Sequence, residues 1–343
     1  MKAAYQLDGA ILVGELPDPV PAAGQVLVRT NACGMCASDV HLLKGGQNVV
    51  DASKEFGGPY SDLDLSRLFV PGHEYVGEIL DYGPNSRRPL KVGTRVTSLP
   101  VIAAGSFGII GQSNDFPGGF GELMLLDENF IMEIPSDLPD ELAAMTEPLA
   151  VGLEHSRMGD PTKDDVCLVV GCGAIGLGVI AGLRMRGVGP IVAADFSPSR
   201  RALAIQMGAD VALDPREVSP FEPLADLGGR VPSVIYENVG NPGMLGQIVK
   251  AAGFGAQIVV GGFCLEPEQL YVPQAQMKRL RIAFAAGEEQ QDLDLALKSI
   301  ADGTIDVGSW LGEGIGLGGV AAALTAMSDP SSPVRTVVDP RRA

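Results

Sequence analysis

The rhythm of apolar and polar positions changes near residue 165. Upstream, short apolar runs are broken by Gly and Pro: AYQL, ILVGEL, QVLVRTNACG, GHEYVGEIL and GTRVTSL. Such runs predict a lobe of short β-strands with tight turns. Residues 45–70 read as a long, mostly polar loop with a Gly-Gly-Pro turn at 57–59. Residues 100–121 are rich in Gly and Ser and lead into a further strand, GELMLL, and residues 136–153 carry a helical pattern. Beyond 165, strand-like runs at 166–171, 191–196, 233–237, 256–262 and 281–286 alternate with helical patterns. The helix expected at 198–207 has Ser197 to cap it, Pro198 at its first position and Gly208 past its end. Strand–helix alternation predicts an α/β chain with a doubly wound parallel sheet. A last helix near 290–302 leads into a tail ending in PVRTVVDP.

Length and composition narrow the class. A chain of 343 residues has room for two cores. An apolar share of 46% with 20% charged residues is that of a globular protein. The net charge of −17 disfavours nucleic acid and anionic lipid surfaces as partners. The five cysteines do not form a disulfide framework, and the N-terminus MKAAYQLDGA has no apolar core of a signal peptide, so a reducing cytoplasm is expected. Residues 166–183 run for 18 residues without a charge, the length of a membrane span. Their five glycines instead predict a strand, a turn and a helix.

That turn is Gly171-Cys-Gly173-Ala174-Ile175-Gly176, which follows the strand VCLVV and opens a helix. The next strand ends at Asp195, nineteen residues past Gly176. The order and spacing are those of a dinucleotide site. The glycines make the turn and let the backbone approach a pyrophosphate, and the helix N-terminus offers it free N–H groups. Asp195 would accept hydrogen bonds from the adenosine ribose and repel a 2′-phosphate. The alternative is a Gly-rich βαβ unit that binds nothing.

A second constellation lies upstream. Cys33-Gly-Met-Cys36-Ala-Ser38-Asp39-Val-His41, Pro71-Gly-His73-Glu74-Tyr75 and Glu147-Pro-Leu supply a thiolate, an imidazole and carboxylates. One of each with an open position makes a catalytic zinc site. Cys33 and Cys36 could equally be a redox pair or half of a structural zinc clip, and His73 a core histidine.

Taken together, CGMCASDVH, PGHEYVGEI, TEPLAVGLEH, VVGCGAIGLGVIAG and YENVGNPG resemble the signatures of the zinc-dependent medium-chain dehydrogenases/reductases, the alcohol and polyol dehydrogenase group. The resemblance spans nearly the whole chain. It implies a GroES-like β-rich catalytic domain from residues 1–152 and 288–343, with a Rossmann domain at 153–287 between them. It also implies a zinc held by Cys36, His73 and Glu147, with Glu74 beside the metal, able to enter or leave its shell. Asp39 would orient a ligand, and Ser38 and His41 would form a proton relay. Gly171, Gly173, Ala174, Ile175 and Gly176 would bind the pyrophosphate, Asp195 and Arg200 would border the adenosine ribose, and Arg335 would reach the pyrophosphate.

Three features depart from the group. Residues 97–121 lack the four cysteines of its structural zinc lobe, so one catalytic zinc and no structural zinc is expected. The gap from Cys36 to His73 is long, which makes 45–70 look like an insertion. Glu154, followed by His155, stands where many relatives have a histidine. The expected activity is NAD-linked interconversion of an alcohol, a secondary alcohol or polyol, and its carbonyl compound, by a homo-oligomer (dimer or tetramer). The alternatives are a metal-free NADPH-dependent reductase of the same fold and a non-catalytic dinucleotide-binding protein.

Overall fold

The computed structural model describes residues 1–342 apart from 224–226 and 228. The chain divides into two units, Met1–Glu147 with Leu293–Ala343, and Pro148–Asp292. The sequence reading puts these divisions at 152/153 and 287/288.

Unit 1 is built on antiparallel strands. β1 (Lys2–Leu7) and β2 (Ala10–Glu15) form a hairpin. β3 (Gln25–Gly34) is followed by helix α1 (Ala37–Phe56), then by β4 (Glu74–Tyr82), β5 (Arg95–Thr97), β6 (Val101–Ile102), β7 (Gly108–Ile109), β8 (Leu123–Asp127) and β9 (Met132–Glu133). Strand β3 is central: it pairs with β4 on one side and β8 on the other, and its last two residues pair with Val337 and Val338 near the C-terminus. The core under this sheet includes Val26, Val28, Tyr75, Ile79, Phe120 and Met124.

Residues 45–70 are not the loop expected from the sequence. Helix α1 runs on to Phe56, kinked at Gly45. Its buried face is Asp39, Leu42, Gly46, Val50 and Ser53, a helical spacing with only two large apolar members. The adjacent Gly45 and Gly46 read as a turn, and that sparse stripe hid the helix. Leu42 and Val50 pack with Leu63 and Phe69 into a small separate core, so the following segment is anchored. Cys33 and Cys36 lie on different elements: Cys33 is in β3 and Cys36 is the N-cap of α1.

After helices α2 (Asp140–Ala143) and α3 (Thr146–Met158), unit 2 alternates strand and helix. Its elements are β10 (Cys167–Val170), α4 (Ala174–Met185), β11 (Ile191–Ala194), α5 (Pro198–Met207), β12 (Val211–Leu213), β13 (Val234–Glu237), α6 (Met244–Ala251), β14 (Gln257–Val260), α7 (Val272–Met277) and β15 (Arg281–Phe284). The six strands are parallel in the order β12-β11-β10-β13-β14-β15. Strand order reverses between β10 and β13, which opens a crevice at their C-terminal ends. Strands β10, β11 and β13 are buried throughout, as a sheet covered on both faces requires. Helix α5 runs from Pro198 to Met207 with Ser197 and Gly208 at its caps, as expected. The uncharged stretch 166–183 is β10, a turn and part of α4. Among the described residues no helix is long and apolar enough to cross a membrane. The chain closes with α8 (Gln290–Ala301), α9 (Val320–Ala326) and β16 (Val337–Val338).

Asp127, at the end of β8, is fully buried. It accepts the N–H groups of Ala103 and Ala104 at 2.9 Å and of Asn129 at 2.9 Å, fixing the start of the Gly- and Ser-rich segment. Asp127→Ala strands these donors and should lower unfolding stability by about 3 kcal/mol, read from urea denaturation. A loss under about 0.5 kcal/mol would show that water replaces the carboxylate.

Candidate active site

Register brings the first cluster together. Across β16, β3 and β4, Val337 pairs with Gly34 and Gly34 with Glu74. Glycine at position 34 leaves room for the carboxyl, since an added Cβ would lie 2.2 Å from Glu74 Oε2 and force it to shift. The strand then turns into α1 through Cys36, where the positive end of the helix dipole favours negative charge. Asp39 in the first turn accepts the Cys36 N–H at 3.0 Å. The ligating atoms of Cys36, His73 and Glu74 lie within 4.8 Å of one another. Glu147, buried in the first turn of α3, is not in that group.

The partners of His73 define its two faces. Nδ1 is 3.6 Å from Asp39 Oδ1, and Nε2 is 3.4 Å from Ser38 Oγ. Burial pulls the imidazole pKa down, but hydrogen bonds to Asp39 and Cys36 outweigh it and hold it well above the usual histidine range. Burial pushes the Cys33 thiol up, so Cys33 is a protonated core side chain. Arg335 has a partner the sequence did not point to. Its Nε donates to both oxygens of Glu74 at 3.1 and 3.0 Å, and Nη2 lies 2.9 Å from Oε1 and 3.9 Å from Cys36 Sγ.

Two residues that sequence reasoning missed complete the wall. Gln112 Nε2 donates to Ser38 Oγ at 3.3 Å and lies 3.3 Å from His73 Nδ1. Tyr60 donates its hydroxyl to Gln112 Oε1 at 2.8 Å, and Ser53 at the end of α1 fixes Tyr60 by accepting its N–H at 2.9 Å. Neither carries a motif. The only signal was their place in the two segments that depart from the family pattern. His41 follows Ser38 by three residues on α1, and burial, then Lys44, lowers its pKa.

Unit 2 forms the second site. In the turn after β10 a Cβ on Gly176 would lie 1.9 Å from Gly171 O, whereas one on Gly173 would meet nothing within 4 Å. Gly173 caps α4 without a side-chain acceptor, so the first N–H groups of the helix receive no bond from its cap residue. Asp195 closes the turn: Oδ2 accepts the Cys172 N–H at 2.8 Å and Oδ1 that of Ser197 at 2.7 Å. Arg200 is half-buried, with no acceptor at Nε.

Glu154 and His155 sit on α3, His155 Nε2 3.8 Å from Glu154 Oε2. Burial lowers the pKa of His155 from 6.5 to about 4, although a hydrogen bond with Asn238 raises it. The folded chain thus keeps His155 neutral where the unfolded chain takes up a proton. Stability contributed by this residue is intact above pH 6.5 and falls by about 3 kcal/mol as pH drops to 4. Urea titrations across that window should show the slope in wild type and a shallower one in His155→Gln; equal slopes would refute the assignment.

Residues 22–136 match the alcohol dehydrogenase GroES-like domain, and residues 174–302 match the zinc-binding dehydrogenase domain. The chain is 30% identical over 275 residues to a (R,R)-butanediol dehydrogenase of Bacillus subtilis, covering 76% of this chain and 77% of that protein. It is 28% identical to an erythritol/L-threitol dehydrogenase of Mycolicibacterium smegmatis, covering 72% and 74%. Among solved structures, RspB of Escherichia coli, crystallised with NADH, superposes with a TM-score of 0.81 at 24% identity over 99% of both chains. With both domains and the order of its motifs in agreement, the chain belongs to the zinc-type medium-chain alcohol and polyol dehydrogenases.

Proposed function

We propose that the chain interconverts a secondary alcohol or polyol and its carbonyl compound by hydride transfer with NAD, using one zinc ion. The observation that carries this reading is the grouping of Cys36, His73 and Glu74 ligand atoms within 4.8 Å. The donor set supports it. Asp39 and Glu74 are buried in unit 1 beside His73 and Arg335, and the half-buried Cys36 lies with them. A thiol, an imidazole and a carboxyl gathered in this way fit a divalent cation, which disfavours the metal-free alternative.

Bound there, zinc would act as a Lewis acid on the substrate oxygen. Cys36 and His73 would hold it. Both oxygens of Glu74 are engaged by Arg335, which favours Glu147 as third ligand and Glu74 as the exchanging one. Asp39 fixes the orientation of the His73 ring. Ser38 takes the alcohol proton and passes it toward His41, whose lowered pKa supplies a neutral imidazole to receive it. In unit 2 the Gly171–Gly176 turn holds the pyrophosphate, and Asp195 with Arg200 borders the adenosine ribose. Two copies would pair through β15, an edge strand flanked by exposed Tyr271, Met277 and Phe284.

Elemental analysis of protein purified without chelator should give one zinc per chain. Cys36→Ser should lose metal and activity together, and Cys33→Ala should keep both. Active enzyme without zinc would restore the metal-free reading. The like charge of Asp195 against a 2′-phosphate should favour NAD over NADP by more than about tenfold in kcat/KM. An equal or greater value with NADP would refute that role for Asp195.

A further inference from the structure

Three arginines surround the end of the unit 2 sheet at Asp195, and two of them are held by one carboxylate. Asp214 directly follows β12, and the Asp195 N–H bonds to Leu213 O at 3.2 Å, so the two acids leave adjacent strands side by side. The Asp214 side chain is only 5% exposed. It accepts Arg201 Nη1 at 3.1 Å, Arg216 Nε at 2.8 Å, Arg216 Nη2, and the Arg216 N–H at 3.0 Å. The guanidinium beside it holds its carboxyl well below the usual range, so it stays ionised.

Both arginines are fixed further by Asp195 and Phe196. Arg201 Nη1 donates to the carbonyls of Asp195 at 2.8 Å and Phe196 at 3.0 Å. Arg216 Nη2 donates to Phe196 O at 3.0 Å, and its guanidinium lies 5.0 Å from the Phe196 ring centre. Arg200 differs, since its buried Nε has no acceptor. Arginine is the side chain that accommodates a 2′-phosphate at this edge of the fold.

We propose that Asp214 is a selectivity residue for the cofactor. It engages Arg201 and Arg216, so neither is free to pair with a 2′-phosphate, and Asp195 excludes that group opposed by Arg200 alone. Asp214 touches no cofactor itself and acts by positioning the arginines. The inference rests on the NAD reading above.

The test measures Kd for NADH and NADPH on the full chain by nicotinamide fluorescence, beside thermal melting. The wild-type ratio tests the NAD reading. The change in that ratio on Asp214→Asn tests Asp214, whichever cofactor wild type prefers. NADPH binding should tighten about tenfold and NADH binding change less than about threefold, with the gain shrinking in added salt. Adding Arg201→Gln and Arg216→Gln to Asp214→Asn should abolish the gain, which a purely structural role would not do. Asp214→Ser keeps an acceptor for the Arg216 N–H and serves as the second variant. With Asp214 intact, Arg201→Gln should leave the ratio unchanged; selective weakening of NADPH would overturn the proposal. A lowered melting temperature with an unchanged ratio in Asp214→Asn or Asp214→Ser would overturn it too, leaving Asp214 a staple between β12 and α5.

Discussion

Arg335 and Glu74 lie 261 positions apart in the chain and meet inside unit 1, the guanidinium 6% exposed and the carboxylate fully buried. Neither charge could stand there alone. Removing one partner of such a pair typically costs about 3–5 kcal/mol, because the other remains buried and uncompensated. Burial works against the Arg335 charge, yet Glu74 and Cys36 hold its pKa above the ordinary value. The pair also depends on the backbone around it. Gly34 leaves room for the carboxylate, and the pairing of β16 with β3 carries the tail past it. Residues from both ends of the chain must therefore fold together before Glu74 is neutralised. That explains how a unit interrupted by 145 residues, Pro148–Asp292, remains one body.

The proposed pyrophosphate site of unit 2 is made differently, by omitting side chains. Gly176 lets the turn fold back on the carbonyl of Gly171, and Gly173 leaves the front of α4 open. Asp195 ties the turn to the next strand through the Cys172 N–H, so the acid that would read the ribose also holds the loop that would bind the phosphates. On that reading, affinity and selectivity would both depend on Asp195.

The parts of this arrangement legible in the sequence are those that repeat along it. Five of the six strands and several of the helices between them follow from alternation, and the short β12, half-buried along its length, escaped. Cys36, His73, Glu74 and the glycine turn stand in motifs because their chemistry tolerates few substitutes. What could not be read depends on long-range pairing. The β16 register places Arg335 against Glu74, and no local pattern announces it. Helix α1 was hidden by the Gly45-Gly46 pair and a thin apolar stripe, and with it the position of Tyr60. Gln112 lies in a segment noticed for lacking cysteines, whereas its contribution is an amide between Ser38 and His73.

A chain with 42 acidic and 25 basic side chains cannot pair every acid with a base. The structure shows where the bases are spent. Arg95 bonds Asp140, Arg157 bonds Asp292, Arg201 and Arg216 bond Asp214, and Arg335 bonds Glu74. Most of the remaining acids are at the surface, where water serves them. Two other buried acids, Asp127 and Glu237, accept backbone N–H groups instead. Near Cys36 the buried carboxyls of Asp39 and Glu74 face His73 and Arg335. Here His73 takes up a proton against its own burial, drawn by Asp39 and Cys36. A proton and a metal cation answer the same electrostatic demand, and the grouping of Cys36, His73 and Glu74 is what the proposed zinc would use. In a chain with fewer bases than acids, that zinc would be the cation serving this cluster.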